Sequence, residues 1–438
     1  MRDILLTLLV NGSLQFKLRK PYLGILVWSW LSYMNPHRMT WSFAYDLPFA
    51  QIVAITLFIS ILINKEFRKI PVDGTVKIWI VFLLWMFVST FFAIHFEDAA
   101  YYLERIVKIQ IITFLTLMLI TDKDRIDKLI WVIVISIGFF GVKGGIFTIL
   151  TGGGARVWGP AQSFIEDNNT LALALLMVIP FMIYLFQINK NKWIRFGLIL
   201  STLLCCLSVL GSQSRGALIA ILTVAFFFWL KSKSKVLSGG LVVLLLITGF
   251  NFMPESWHER MRTIQDYEQD ASAMGRINAW QYSINIANDR ITGGGLNSWS
   301  YETFAVYAPK PDDVHAAHSI YFSVLADHGW FGLIMFLLIL FLTWRALSKI
   351  VESTRKRSEE EKMSEYNLLA RMLQVSLIAY MSGGAFLSLS YFDLPWHLVA
   401  ITILLKYQTG TYALKSMSNN KISSVKGMNN FNNSSGNS

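Results

Sequence analysis

Long apolar runs alternate with short polar breaks along almost the whole chain. A hydrocarbon core of about 30 Å takes about 20 mostly apolar residues per helix. Runs of that kind lie at 21–35, 47–64, 75–95, 102–121, 127–149, 167–188, 193–210, 215–231, 236–253, 319–347, 366–388 and 393–409. Because only helices and closed barrels satisfy their backbone groups inside lipid, the pattern predicts an all-α, polytopic membrane protein with about 12 transmembrane helices. Residues 3–16 form a shorter apolar segment, compatible with an interfacial helix, a half-inserted one or a thirteenth span. No small-residue cleavage site follows it, so the segment is expected to be retained.

A single polar stretch, 254–318, is long enough to fold over the membrane, and it holds two helical patterns. In PESWHERMRTI, Trp257, Met261 and Ile264 recur at helical spacing; in GRINAWQYSINIAN, Ile277, Trp280, Ile284 and Ala287 do nearly the same. The chain thus divides into an N-terminal bundle (1–253), a partly helical loop (254–318), C-terminal membrane helices (319–410) and a tail (411–438). From Lys415 the tail is rich in Asn, Ser and Lys without apolar periodicity, and disorder on the cytoplasmic side is expected.

Composition fits the pattern: 54% hydrophobic and 15% charged residues give more apolar surface than one soluble core needs. Charge then orients the spans, because Lys and Arg in short loops stay on the cytoplasmic side. KLRK at 17–20, KEFRK at 65–69, DKDRIDK at 122–128, NKNKWIR at 189–195, KSKSK at 231–235 and RKRSEEEK at 355–362 fall on alternate connections. The formal charge of +11 is therefore a topology signal, and no soluble basic domain is present to bind nucleic acid. Cys205 and Cys206, adjacent in an apolar run, offer neither a disulfide framework nor metal spacing.

Against that background, cations on the opposite face stand out. Arg215, in SQSRGALIA, occupies a tight turn between two apolar runs, where a guanidinium costs roughly 2.5–3.5 kcal/mol by insertion scales. Snorkelling to the outer headgroups is the plain reading, and an anion site the sharper one. Arg276 opens the second loop helix in SAMGRINAW, with Ser272 as an N-cap or turn residue before it; Arg260, Arg262 and Arg290 lie on the same face. In PDDVHAAHSIYFSVLADHGWFG, Asp312 or Asp313 is expected to cap a helix, placing His315 and His318 three apart on its first two turns. A helix N-terminus and nearby arginines disfavour imidazolium, so a neutral ring able to accept a hydroxyl proton is expected, beside a site suited to phosphate. His328, ten residues further and about 15 Å deeper, reads as a structural histidine. Lys143 and Arg156 are candidates for further phosphate contacts; Arg156 follows three glycines whose N–H groups could approach an anion, a flexible loop being the alternative. Asp266, Glu268 and Asp270 alternate in a polar loop without the paired setting a magnesium site needs, and no metal or other cofactor is expected.

SQSRGALIA, GRINAW, ITGGGLNSW at 291–299 and HSIYFSVLADHGWFG resemble, in that order, the successive signatures of the bacterial O-antigen ligase and polymerase superfamily. SYMNPHRMTWSFAYDLPFA at 32–50 and GGGARVWGPAQSFIEDNN at 152–169 resemble its O-glycosylation ligase branch. The resemblance covers nearly the whole chain. It implies an inner-membrane glycosyltransferase with its active site on the periplasmic side, using an undecaprenyl diphosphate-linked glycan as donor. A ligase of this kind passes the glycan to a lipid A-core sugar, without a metal and with inversion. His318 would be the base and Arg215 and Arg276 the diphosphate clamp, with Arg156, His315 and Lys143 as further binding residues. Ser319 stands where many members carry Asn, and His315 is an additional histidine, so the base assignment is open to both rings. An O-antigen polymerase or a protein O-oligosaccharyltransferase would use the same donor with another hydroxyl acceptor. A lipid-linked glycan transporter is the reading from another class; the acid-poor apolar runs and the lack of an internal repeat weigh against it.

Overall fold

The computed structural model describes residues 2–232, 234–262, 271–355 and 361–410. Among them there is no strand, and the chain is an all-α polytopic membrane protein. The helices are α1 (Arg2–Arg19), α2 (Pro21–Met34), α3 (Phe49–Asn64), α4 (Gly74–Phe91), α5 (Phe96–Leu119), α6 (Lys123–Leu150), α7 (Asn168–Ile188) and α8 (Lys192–Gly211). They continue as α9 (Arg215–Lys231), α10 (Lys235–Phe252), α11 (Glu255–Arg262), α12 (Ala271–Asp289), α13 (Tyr301–Tyr307), α14 (Ile320–Arg355), α15 (Glu361–Gly383) and α16 (393–410). Each predicted span coincides with one helix. Six of them, α4, α6, α7, α8, α10 and α14, are long and apolar enough to cross a membrane by length and composition; the others are shorter or less apolar. Ile264, the acidic string at 266–270, the Arg/Lys run at 356–357 and the tail from 411 lie outside the described residues.

Polar caps stop and start the apolar runs. Asp73, Asp122, Asp167, Asn191 and Ser214 each accept a backbone N–H from the first turn of the helix they precede, satisfying a donor that lipid could not. α7 lies at the centre, its lateral surface covered by α6, α8, α9 and α15. α10 packs mainly on α9 and presents nearly all its side chains outward.

The two sets of connections gather at opposite ends. At one, Arg125 pairs with Glu66 (3.3 Å), Lys123 with Glu365 (3.4 Å) and Lys406 with Asp73 (2.6 Å). At the other, Ile94 N donates to Gly294 O (2.9 Å), Val157 N to Gly211 O (3.0 Å) and Ile320 N to Gly384 O (2.7 Å). The alternation read from basic residues therefore sorts the loops correctly. α1 runs between both ends beside α3. Asp3 accepts from Ser42 N (3.1 Å) and Ala44 N (3.2 Å), and at the far end Ser60 donates to Lys17 O (2.7 Å) and Asn64 to Leu18 O (2.6 Å). Of the three fates open to residues 3–16, the geometry is that of a helix crossing the whole bundle.

α14 is not one straight rod. Gly329 (φ 65°, ψ −173°) breaks it, and the freed carbonyls of Ala326 and Asp327 accept from Gly294 N (2.8 Å) and Gly295 N (3.1 Å). A Cβ at Gly293 would stand 2.5 Å from Ala326 O, and one at Gly329 2.2 Å from Ile291 O. The glycines of ITGGGL and ADHG are thus what lets the two backbones interlock. His328 beside the break is buried, with Nδ1 2.6 Å from Ser89 Oγ, a structural position as expected.

Candidate functional site

Arg215 is the first residue of α9, half-buried, on a turn held from three sides. Gln213 adopts a left-handed backbone (φ 53°), and its side chain donates to Gly153 O (3.1 Å). Its own carbonyl accepts from Arg260 Nε (2.9 Å), and Ser212 O accepts from Asn168 (2.7 Å). Ser214 then caps α9 through Ala217 N (3.1 Å). With the backbone fixed on both sides, the guanidinium of Arg215 leaves the turn from a defined point.

Arg276 lies in α12, with Ser272 already inside the helix and not ahead of it. The buried face of α12 includes Gly275, Ala279, Tyr282, Ile286 and the expected Ala287, whereas Ile277, Trp280 and Ile284 are half-buried, so most of the expected apolar stripe is displaced by about one to two positions. The reason is that α12 is covered on two sides. Tyr282 stacks on Phe304 of α13 (ring centroids 4.4 Å), and Trp280 stacks on Phe322 of α14 (4.9 Å).

Two side chains of α12 lay the histidine segment along it. Asn278 accepts from Lys310 N (2.9 Å) and donates to Lys310 O (2.9 Å) and Asp313 O (3.0 Å). Trp280 Nε1 donates to Ala317 O (2.8 Å). Residues 313–318 are consequently non-helical, and α14 begins only at Ile320. This corrects the expected cap at Asp312 or Asp313: the histidines precede the helix, because hydrogen bonds from α12 override the local cap signal. His318 takes a left-handed backbone (φ 45°). His315 is exposed, rests on the Gly275 surface and pairs through Nδ1 with Asp313 Oδ1 (2.8 Å).

Three elements meet here. Gly216, next to Arg215, abuts Phe386; a Cβ there would stand 3.0 Å from Phe386 Cβ. The Phe386 ring lies 6.3 Å from Trp280, one turn along α12 from Arg276, and Trp280 holds Ala317, next to His318. Arg215, Arg276 and His318 therefore border one aromatic platform at a single rim of the bundle. The imidazole of His318 has its pKa lowered, first by burial, then by the positive charge of Arg276, against which the carboxylate of Asp167 acts. A neutral ring near pH 7 follows, with burial rather than a helix end as the leading cause.

The other candidates fare differently. Arg156 is exposed at the same rim, but the glycines before it do not offer free N–H groups. Gly152, Gly153 and Gly154 donate to Ile149 O (3.2 Å), Thr148 O (2.8 Å) and Thr151 O (3.1 Å), finishing α6. Lys143 faces away from the cluster, in a crevice lined by none of its residues. Among the flanking cations, Arg260 joins the Arg215 turn, Arg262 pairs with Glu255 (3.3 Å) and Arg290 ties Gly293 O (3.0 Å) to Phe92 O (2.5 Å). Sequence reading missed Asp167, whose cap position was visible but whose proximity to His318 was not. Among the described residues, no three His, Cys, Asp or Glu side chains are grouped as metal ligands.

Comparison with known families bears on this cluster directly. Residues 200–337 match the O-antigen ligase family, a segment that holds Arg215, Arg276 and His318. The chain carries an O-antigen ligase domain. That match supports the O-antigen ligase and polymerase superfamily, whose members are glycosyltransferase-like enzymes that work on lipid-linked glycans. Residues 1–190 match a family of unknown function (DUF5935), and no curated protein matches the chain. The ligase domain begins within α8 and ends within α14, so it encloses the Arg215 turn, the loop helices and the interlocked glycines.

Proposed function

We propose that the chain is an O-antigen ligase of the bacterial inner membrane, which transfers a glycan from undecaprenyl diphosphate to a hydroxyl of lipid A-core on the periplasmic side. The observation that carries this reading is the meeting of Arg215, Arg276 and a half-buried His318 at one rim, within the segment that matches the ligase family. In the reaction the acceptor oxygen attacks the anomeric carbon from the face opposite the diphosphate, and the bond to the diphosphate oxygen breaks. The configuration inverts. His318 accepts the acceptor's proton, and undecaprenyl diphosphate departs with its new charge held by Arg215 and Arg276. Guanidinium groups fixed beforehand and shielded from water are worth a few kcal/mol to such a transition state. This chain's own cations suffice for that neutralisation, so the mechanism uses no metal.

The test offers the purified protein one undecaprenyl-linked glycan and three acceptors: lipid A-core, a second donor molecule and a serine-rich protein. Lengthening of lipid A-core supports the ligase; lengthening of the donor makes it a polymerase, and of the protein an oligosaccharyltransferase. Undiminished transfer by His318→Ala in the same assay refutes the base assignment.

A further inference from the structure

We infer that a crevice between α1, the segment 36–41 and α6 is a seat for an anionic membrane phospholipid, separate from the transfer site. The cavity measures about 780 Å³ and opens at the end of the bundle that holds Arg215 and His318. Its walls are apolar: Leu5 and Leu9 of α1, Trp30 of α2 and Phe139 of α6. Leu5, Leu9 and Phe139 are 60%, 56% and 43% exposed, an apolar surface that acyl chains would cover. Three cations line it as well: Arg2 at the head of α1, Arg38 on the 3-10 turn Pro36–Met39, and Lys143 of α6.

Charge decides the headgroup. Asp46 pairs with Arg38 at 3.4 Å but is 89% exposed, where an ion pair contributes little. Asp3, one residue from Arg2, is turned to the backbone N–H groups of Ser42 and Ala44. A phosphodiester without a cationic group satisfies the surplus; a zwitterionic lipid would bring an ammonium into it. Trp41, 85% exposed at the mouth, has the amphipathic ring that sits at headgroup level. Inorganic phosphate would leave the apolar walls uncovered. α6 packs Gly141, Gly144 and Gly145 against α7 and α8, so the crevice lies on the opposite face of α6 from those helices.

The experiment is native mass spectrometry of the purified protein from nanodiscs holding equal phosphatidylglycerol and phosphatidylcholine. Each cation near an anionic lipid is worth about a fivefold preference. Wild type should retain phosphatidylglycerol, Lys143→Gln should lose about fivefold of that preference, and Lys143→Arg should keep it. Equal retention of both lipids by wild type overturns the proposal, as does an unchanged preference in both Lys143→Gln and Arg2→Gln. Displacement of phosphatidylglycerol by inorganic phosphate, or by undecaprenyl phosphate at matched concentration, overturns the choice of occupant.

Discussion

An imidazole partly withdrawn from water beside a guanidinium binds its proton weakly, and His318 is in that position because α12 presses residues 310–317 against itself. Its pKa lies below the ordinary value of 6.5, so the base form predominates at pH 7 and is lost as pH falls through the lowered value. Transfer measured as kcat/KM should therefore stay level from pH 7.5 to about 6.5 and decline below it. An acid limb centred above pH 6.5 in the wild type would contradict the lowered pKa. Arg215 makes a different demand. If it grips a diphosphate with two N–H groups, a lysine restores charge without the fork, and Arg215→Lys should lose transfer by about tenfold or more. Wild-type rates in that variant would leave only a general field effect. At this scale the sequence was partly legible. The residue types and order pointed to the cluster, but choosing His318 over His315 required seeing that Asp313 engages the latter and Arg276 faces the former.

Elements carry the positioning. α12 is the bracket that fixes the histidine segment, and Trp280 does so twice, by stacking on Phe322 and by its bond to Ala317 O. Trp280→Phe keeps most of the ring and removes the bond, which is worth about 1 kcal/mol to stability. Its signature should be a drop in kcat of several-fold with KM for the donor nearly unchanged and a Tm within a few degrees of wild type. A fall in stability large enough to explain the activity would instead make Trp280 a plain packing residue. Helical spans were easy to read, since each is a mostly apolar run bounded by polar connections. Interruptions decided by distant partners were not. The break at Gly329 sits inside a single predicted span, and its cause is a glycine turn some thirty-five residues earlier that needs close backbone approach. The run at 152–154 misled for the related reason that glycine marks both an anion nest and a helix end, and only the hydrogen bonds tell which.

For the whole molecule, sorting of the loops into two ends was legible because basic residues mark alternate connections. The same reading gives an absolute orientation that can be measured. With Cys205 and Cys206 replaced by Ser, Glu302→Cys on the site end should react with a membrane-impermeant maleimide in intact spheroplasts. Lys235→Cys, at the basic end and also exposed, should react only after the membrane is opened; the reverse pattern would turn the site toward the cell interior. The path of α1 was not legible, as its composition is too mixed to declare a span and only its anchors at Ser42 and Ser60 settle the matter. That path constrains biogenesis. If the Arg215 end faces the periplasm, as proposed, Arg2 lies on that side of the membrane and Lys17, Arg19 and Lys20 on the other. A fluorescent protein that matures only in the cytoplasm, fused ahead of Arg2, should stay dark.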